Sequence, residues 1–571
     1  MRLVTSNGRR DHYVALSHCW DQDASKHFNT TIGNLSSRTA SINFEDMPKT
    51  FQDATIVTKR LGLRYIWIDS LCIIQGEDGD WTTEAPKMGQ YYGDAFMTIA
   101  ADCSQGDCEG FLQVRHINMA NAFEGTTSAS HVLLLPSQRR LKPHSDGEPS
   151  SSDGGTPTYR SANDTIYADE VDTIEYQNDE GTRRLHLKSV SWDGRSTRMN
   201  PIEDEPLQHR AWTLQERYLS RYTLHFGSEQ NFLEMHESQK LIYEDGRETF
   251  SAYYWTTLHD SNHALPFRGW YRMIEDYTKR NISFRYDTLT ALAGVAQKVS
   301  RFANAKYCAG LWESDLSRGL LWCVADPGCP VRWREHSATV STTDYMGPSW
   351  SWAYASGGVR FLLNDLSNRV HPESLLLGYS PSDAIDDIDV PFLELVACEI
   401  TPLDINFPHG PLIEGTTLTL KAPVYPIRQL RWESKGKTRY YERRRNEISE
   451  TCHITIDVNG TLYETEAMLD TLAKDSKILE ETQLHAIFLA YTLTIGDMQS
   501  LVDYNEGDLI SRYIGDILGL VVAENADTVT RTCRRVGVFR DSFPLQNDSA
   551  KTNAVHKEMF LEKRSKVLTI V

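Results

Sequence analysis

Three apolar runs of strand length lie in the first 101 residues, at 13–17, 63–69 and 96–101, and two segments with helical spacing separate them. This alternation constrains the fold more than any other feature. Strands joined through helices pair in parallel, and the helices cover the faces of the sheet. "YVALS" (13–17) is the first strand. "MPKTFQDATIVTKRLG" (47–62) reads as a helix. Pro48 fits its first turn, where a missing N–H costs nothing, and Gly62 is placed to end it in a left-handed conformation. Phe51, Ala54, Thr58 and Leu61 fall on one face. "LRYIWID" (63–69) follows as a buried strand. A second helix is expected over about 83–94, with Pro86 near its start, before the third strand "FMTIAA" (96–101). One parallel sheet holding 13–17, 63–69 and 96–101, with helices 48–61 and 83–94 packed on it, is the expected core of the N-terminal part.

Further along, residues 142–165 contain almost nothing that builds a core, so 126–200 reads as a mobile insert. Helical spacing returns over about 268–303, with Leu289, Leu292, Ala293 and Ala296 on one face. The C-terminal part turns β-rich. "PSWSWAYASGGVRFLL" (348–363) reads as a hairpin around 356–358, and "HITIDVNGTLYETE" (453–466) carries an Asn-Gly hairpin turn. "LGLVVAEN" (518–525) and "CRRVGVFRD" (533–541) read as a paired final hairpin. The expected organisation is an α/β domain over 1–125 and 201–225, the insert 126–200, a mainly helical region over 226–345, and a β-rich region over 346–571. A length of 571 residues agrees with several domains.

Composition excludes several classes. A net charge of −19 opposes general nucleic-acid binding, because the chain repels the phosphate backbone. The basic run "IRQLRWESKGKTRYYERRR" (427–445) is an exception, read as a solvated surface loop. The first residues lack an apolar signal core, and no run of about 18 apolar residues suggests a membrane span. Ten scattered cysteines make no disulfide framework. Cys103 with Cys108, and Cys323 with Cys329, lack zinc-site spacing, so no metal is expected. Reduced thiols place the chain in the cytoplasm or nucleus. No GxSxG elbow, P-loop or HExxH is present.

"YVALSHCW" (13–20), "LG" (61–62), "YIWIDSLCIIQ" (65–75), "DW" (80–81), Glu84, Met88, Tyr92, Ala95 and "TIAA" (98–101) stand in the order seen in the heterokaryon incompatibility (HET) domain of filamentous fungi. "RAWTLQERYLSR" (210–221) resembles the motif that closes that domain. "YDTLTALAGVAQ" (286–297), "YCAGLWESDLSRGLLW" (307–322) and "PSWSWA" (348–353) resemble the downstream half of such proteins. One departure is Asp21, where the family usually has Gly after "CW". The resemblance implies a role in nonself recognition and programmed cell death. The HET fold in turn resembles the TIR domain, a flavodoxin-like parallel sheet, and some TIR domains cleave NAD at the nicotinamide–ribose bond with a glutamate. NAD enters here as a substrate, not a cofactor. The alternative is a signalling or recognition module that self-associates or binds a partner protein without catalysis.

The residues admit both readings. Asp69 ends a parallel strand, where open α/β sheets bind ligands; its carboxylate suits a ribose hydroxyl, or caps the following turn. Glu84 sits in a first helical turn. A carboxylate there stabilises a ribosyl cation, or merely complements the helix dipole by about 0.3–1 kcal/mol. Ser17, His18 and Trp20 follow the first strand on the same rim. Trp20 and Trp81 suit ring stacking or core packing. Arg210 suits an anionic ligand or a structural pair. Trp212, Leu214 and "PSWSWA" read as packing, and Glu216 as the partner of a neighbouring base.

Overall fold

The computed structural model describes residues 1–112, 171–178, 181–188, 202–243, 248–250, 267–325, 345–362, 390–435, 449–470, 482–495, 513–525, 532–544 and 565–571, apart from isolated positions within those spans. The first lobe is built on a mixed seven-stranded sheet. Its strands are β1 (Tyr13–Ser17), β2 (Tyr65–Ile68), β3 (Met97–Ala100), β4 (Tyr222–Phe226), β5 (Asn231–Met235), β6 (Lys240–Tyr243) and β7 (Glu248–Phe250), in the order β7-β6-β5-β4-β3-β1-β2. β1 pairs in parallel with β2 and β3, and β3 with β4. The three strands expected from the sequence therefore share one sheet. Beyond β4 the pairing is antiparallel, so β5, β6 and β7, expected in a helical region, extend the sheet instead.

Alternation along β1 sends Val14 and Leu16 to one face, Ala15 and Ser17 to the other. On the first face, α1 (Lys49–Arg60) packs Phe51, Ala54 and Val57 against Val14, Leu16, Ile68 and Ile99. Gly62 follows at φ +77°, the left-handed stop its position called for. Thr58 is buried as expected, but Leu61 is 40% exposed, because the helix has already ended at Arg60. On the second face lie Ala15, Ile73, Met88, Tyr92 and Ala95. The helix expected over 83–94 is broken into a single turn (Trp81–Glu84), a 3-10 turn (Ala85–Lys87) and α2 (Met88–Asp94). Pro86 accounts for the break, since it lacks the N–H an unbroken ladder needs.

α2 packs on α3 (Ala211–Leu219), and both meet α5 (Ala293–Ala303). The three cross closely at two glycines: a Cβ on Gly294 would lie 3.1 Å from the Cα of Gly89 and 2.9 Å from Leu219 Cδ1. The helical spacing read over 268–303 is split into α4 (Arg268–Tyr277), one turn at Asp287–Thr290, and α5. Leu289, Leu292, Ala293 and Ala296 are all buried. Beside them sits a cluster of fully buried indoles, Trp270, Trp312, Trp322, Trp350 and Trp352. The hairpin expected within 348–363 does not form. Val359–Phe361 pairs with Trp322–Val324, and Trp352–Tyr354 is a 3-10 turn. Residues 349–353 are buried in succession, which a strand with one solvated face cannot achieve.

The C-terminal part is an antiparallel sheet with one parallel pair. Its strands are β8 (Glu394–Glu399), β9 (Thr417–Lys435), β10 (Ser449–Val458), β11 (Thr461–Leu469), β12 (Leu484–Ile495), β13 (Tyr513–Glu524), β14 (Thr532–Pro544) and β15 (Ser565–Ile570), with Val390–Pro391 on its margin. β9 pairs with β10 along 427–435 and with β12 at Val424–Pro426, so β9-β10-β11-β14-β13-β12 closes into a ring. Ile454, Ile456, Phe488, Val521 and Phe539 fill its interior. Leu518, Leu520, Val522 and Val538 point outward into the indole core. The Asn-Gly turn is present at Asn459 and Gly460, and 518–525 pairs with 533–541 as expected, although β15 follows that hairpin. Residues 427–435 of the basic run are strand, not loop. Arg428 and Arg431 remain solvated, with Arg428 on Asp457 at 2.6 Å and Arg431 on Glu464 at 3.0 Å. The rest of that run, and residues 142–165 of the insert, lie outside the described residues. Within the insert Val171–Asn178 and Gly181–Lys188 form a hairpin. Among the described residues no helix is long and apolar enough to cross a membrane.

Candidate functional site

From β1 the chain crosses to β2 on one side and then to β3 on the other. The crevice at the carboxyl ends of β1 and β3 is therefore a topological switch point, where open α/β sheets bind ligands. Ser17 ends β1, and its hydroxyl donates to Glu216 Oε2 on α3 at 2.5 Å, both residues buried. His18 follows, with Nδ1 3.8 Å from Asp69 Oδ1 and Nε2 3.2 Å from Asp107 Oδ1. Asp69 accepts from the Trp20 indole at 2.9 Å and from the Ser70 amide at 2.7 Å. It thus both caps its turn and stands on the rim. Arg210 donates through a guanidinium N–H to the carbonyl of His18. Tyr92, from α2, donates to the carbonyl of Leu16 at 3.1 Å.

The charges in this cluster act on one another. Burial, with a further contribution from Asp69, raises the Glu216 carboxyl against the pull of Arg210 and the Ser17 hydroxyl. Burial alone would lower His18, but Asp69 and Asp107 outweigh it and raise the imidazole above its ordinary value.

A strap of chain, residues 102–112, runs from the end of β3 across the top of β1 to the start of α1. Thr50 fixes it through its amide on the Asp107 carbonyl (3.0 Å) and its hydroxyl on the Gly106 carbonyl (3.1 Å). Asp53 accepts the amides of Phe111 and Leu112 at 2.9 and 3.0 Å. Phe111 then packs on Phe226, with ring centroids 4.6 Å apart. The strap brings Asp107 to His18.

Next to this rim lies a second buried polar group. His225 is held between Asp102 (2.8 Å) and Glu234 (3.2 Å), and Arg217 binds Glu234 through two N–H groups at 2.7 and 3.1 Å. A small cavity lined by Ser17, Thr98, Gln208, Arg217, Thr223 and His225, among others, lies between the two groups, with space for about one water molecule. Among the described residues no three His, Cys, Asp or Glu side chains are arranged to hold a metal ion.

The structure thus brings Ser17, Trp20, Asp69 and Arg210 together. Glu84 and Trp81 belong to a neighbouring group. Glu84 accepts from Lys87 at 2.7 Å and from the Tyr91 hydroxyl, and Tyr91 stacks on Trp67 at 5.0 Å. Burial would raise its carboxyl, but those two donors outweigh burial and hold it below the ordinary range. Trp81 meets Trp212 edge to face at 5.5 Å, both half-buried. Behind Trp212, burial pushes Asp287 up to about 7 against the indole's hydrogen bond. Sequence reasoning read Glu216 as the partner of a base and did not single out Asp107 or His225. One signal for Glu216 was available: Arg210, Thr213, Glu216 and Arg217 fall on a single helix face, too polar to be ordinary packing.

No curated protein and no solved structure gives a match to this chain. Residues 13–216, from the first residue of β1 to Glu216 itself, match the family model described as Heterokaryon incompatibility protein (HET), so this part of the chain is a HET domain.

Proposed function

We propose that this protein acts in the cytoplasm of a filamentous fungus in nonself recognition and programmed cell death, and that its first lobe cleaves NAD at the nicotinamide–ribose bond. The observation that carries the reading is the convergence of Ser17, His18, Asp69, Arg210 and Glu216 on the switch-point crevice. The parallel strands run in the order 2-1-3-4, which supports the flavodoxin-like and TIR-like comparison. Cleavage releases nicotinamide from a cationic ring, so the leaving group needs no acid. The charge that builds on the ribose is what a carboxylate stabilises. Water then joins the sugar and gives up a proton. In this scheme Asp69 takes a ribose hydroxyl, Arg210 the pyrophosphate and Trp20 a ring in the crevice. Glu84, kept ionised and partly exposed in the neighbouring group beside Trp81, has to reach the ribosyl cation from there.

The test is Glu84→Gln. It is expected to abolish NAD consumption and cell killing. The fold should lose about 1 kcal/mol or less, because the Lys87 pair is at the surface. A wild-type protein that kills cells without consuming NAD sinks the enzyme reading. The non-enzymatic alternative is supported by β2, the edge strand of the sheet, whose outer side has no paired strand among the described residues and suits self-association. Normal killing by Glu84→Gln would favour that module.

A further inference from the structure

His18 Nε2 and Asp107 Oδ1 lie 3.2 Å apart, with side chains 1% and 2% exposed, yet neither atom has a hydrogen bond of acceptable geometry. Native interiors seldom leave such groups unmet. The strap that carries Asp107 is well bonded elsewhere, at Thr50, Asp53 and, through Asp102, at Gln208 (2.9 Å). A loose strap therefore does not explain the mismatch. A donor and an acceptor side by side, neither aimed at the other, are satisfied together by one atom that accepts from the first and donates to the second. Among common ligand groups that atom is a hydroxyl oxygen. An anionic group would be repelled by Asp107 and Asp69, and an ammonium group by a protonated His18. Asp69, assigned above to one ribose hydroxyl, stands 3.8 Å from the other nitrogen of the same imidazole.

We propose that His18 and Asp107 together hold the second hydroxyl of the same ribose, an inference that rests on the dinucleotide reading given above. A vicinal diol then spans the two sides of His18, with Asp69 on one hydroxyl and the His18–Asp107 pair on the other. The Arg210 bond to the His18 carbonyl fixes the backbone that aims the ring.

The experiment is calorimetric binding of ADP-ribose, and of its analogues lacking the 2′ or the 3′ hydroxyl of the distal ribose, to the full chain. Wild type is expected to lose on the order of ten- to a hundred-fold in affinity for at least one deoxy analogue. Asp107→Ala and His18→Phe are each expected to bring that ratio close to one. His18→Phe keeps the edge contact with Phe51, and the backbone bonds of the strap do not depend on the Asp107 side chain, so thermal melts should show both variants folded. Folded variants that retain the discrimination overturn the proposal, as does a wild type that binds all three ligands equally. NAD consumption is measured on the same preparations. Turnover without hydroxyl discrimination defeats this inference alone. Discrimination without turnover upholds it and defeats the hydrolase reading. Absence of binding by any ligand defeats both.

Discussion

Glu216 and Glu234 are both buried glutamates, 18 residues apart in sequence, and their surroundings separate them. Glu234 lies between Arg217 and His225. Burial would raise it, but Arg217 and the neighbouring histidines outweigh burial and hold it well below the ordinary range. Each charge in that group has an opposite neighbour, the condition under which buried ions are tolerated. Glu216 has a hydroxyl for its direct partner, and its carboxyl is raised chiefly by burial. A raised folded-state value means the native protein holds that proton more tightly than the unfolded chain does. The associated stability is complete below the ordinary carboxyl range and falls as pH rises through the folded value. Glu216→Gln keeps an acceptor for Ser17 and removes the titration. It is expected to raise the melting temperature by about 2–4 °C near pH 8, with the gain shrinking toward about pH 5. Melts of both proteins across that range check it. An unchanged difference at every pH would show that Glu216 does not titrate there. A carboxyl kept at a cost to stability is one expected to serve the crevice.

At the scale of elements, two turns of one type show what a sequence reveals. Asn459 and Gly460, at φ +55° and +93°, join β10 to β11, and their dipeptide announces the turn. Ala309 and Gly310, at +47° and +93°, make the same turn between Tyr307–Cys308 and Leu311–Trp312. No local cue marks it, because its flanks are two-residue strands inside a core rather than alternating hairpin arms. Gly310 also accepts from the indoles of Trp270 (3.0 Å) and Trp352 (2.8 Å), and a Cβ there would lie 2.4 Å from Trp352 Nε1. Gly310→Ala is therefore expected to cost about 3 kcal/mol or more, through backbone strain and overpacking together. Denaturant unfolding measures this, and a loss under about 1 kcal/mol would mean that the indoles yield readily. The β1–β3 core was legible for the opposite reason. β1 and β3 are buried on both faces, so they read as apolar runs, and β2, half-buried at the edge, is equally apolar in sequence. β4 and β5 were not legible as sheet because their inward positions hold Thr223, His225 and Glu234, an inversion made tolerable only by Arg217 and Asp102. The rim residues at strand ends could be read in order along the chain. Asp107 could not, since only the strap's path brings it to His18.

Among the described residues one apolar core crosses from the helices beside the crevice to the β-rich part, while the two faces of the first sheet have clusters of their own. That core runs from Leu214 and Tyr218 on α3, through the indoles, to Leu518, Leu520 and Val538 on the outside of the strand ring. The β-rich part is thus packed, through shared side chains, against the elements that carry the crevice. A polar link crosses the same boundary. Arg535 on β14 is buried, with its guanidinium 3.4 Å above the Trp322 ring. It pairs with Asp470 at 2.6 Å and donates to the Trp322 carbonyl. Its own amide donates to Ser349 at 2.9 Å, at the edge of the indole segment. Arg535→Met removes the charge and leaves Asp470 without its cation and the Trp322 carbonyl without its donor. The expected loss is about 3–5 kcal/mol, the range for breaking a buried pair from one side. Arg535→Met combined with Asp470→Leu should recover part of it, since no unpaired charge is then left behind. Because the core is continuous, the loss should lower the midpoint followed by tryptophan fluorescence and the midpoint followed by far-ultraviolet circular dichroism together. If only one of the two moves, the strand ring unfolds on its own, and a signal received there would have no rigid path to the rim.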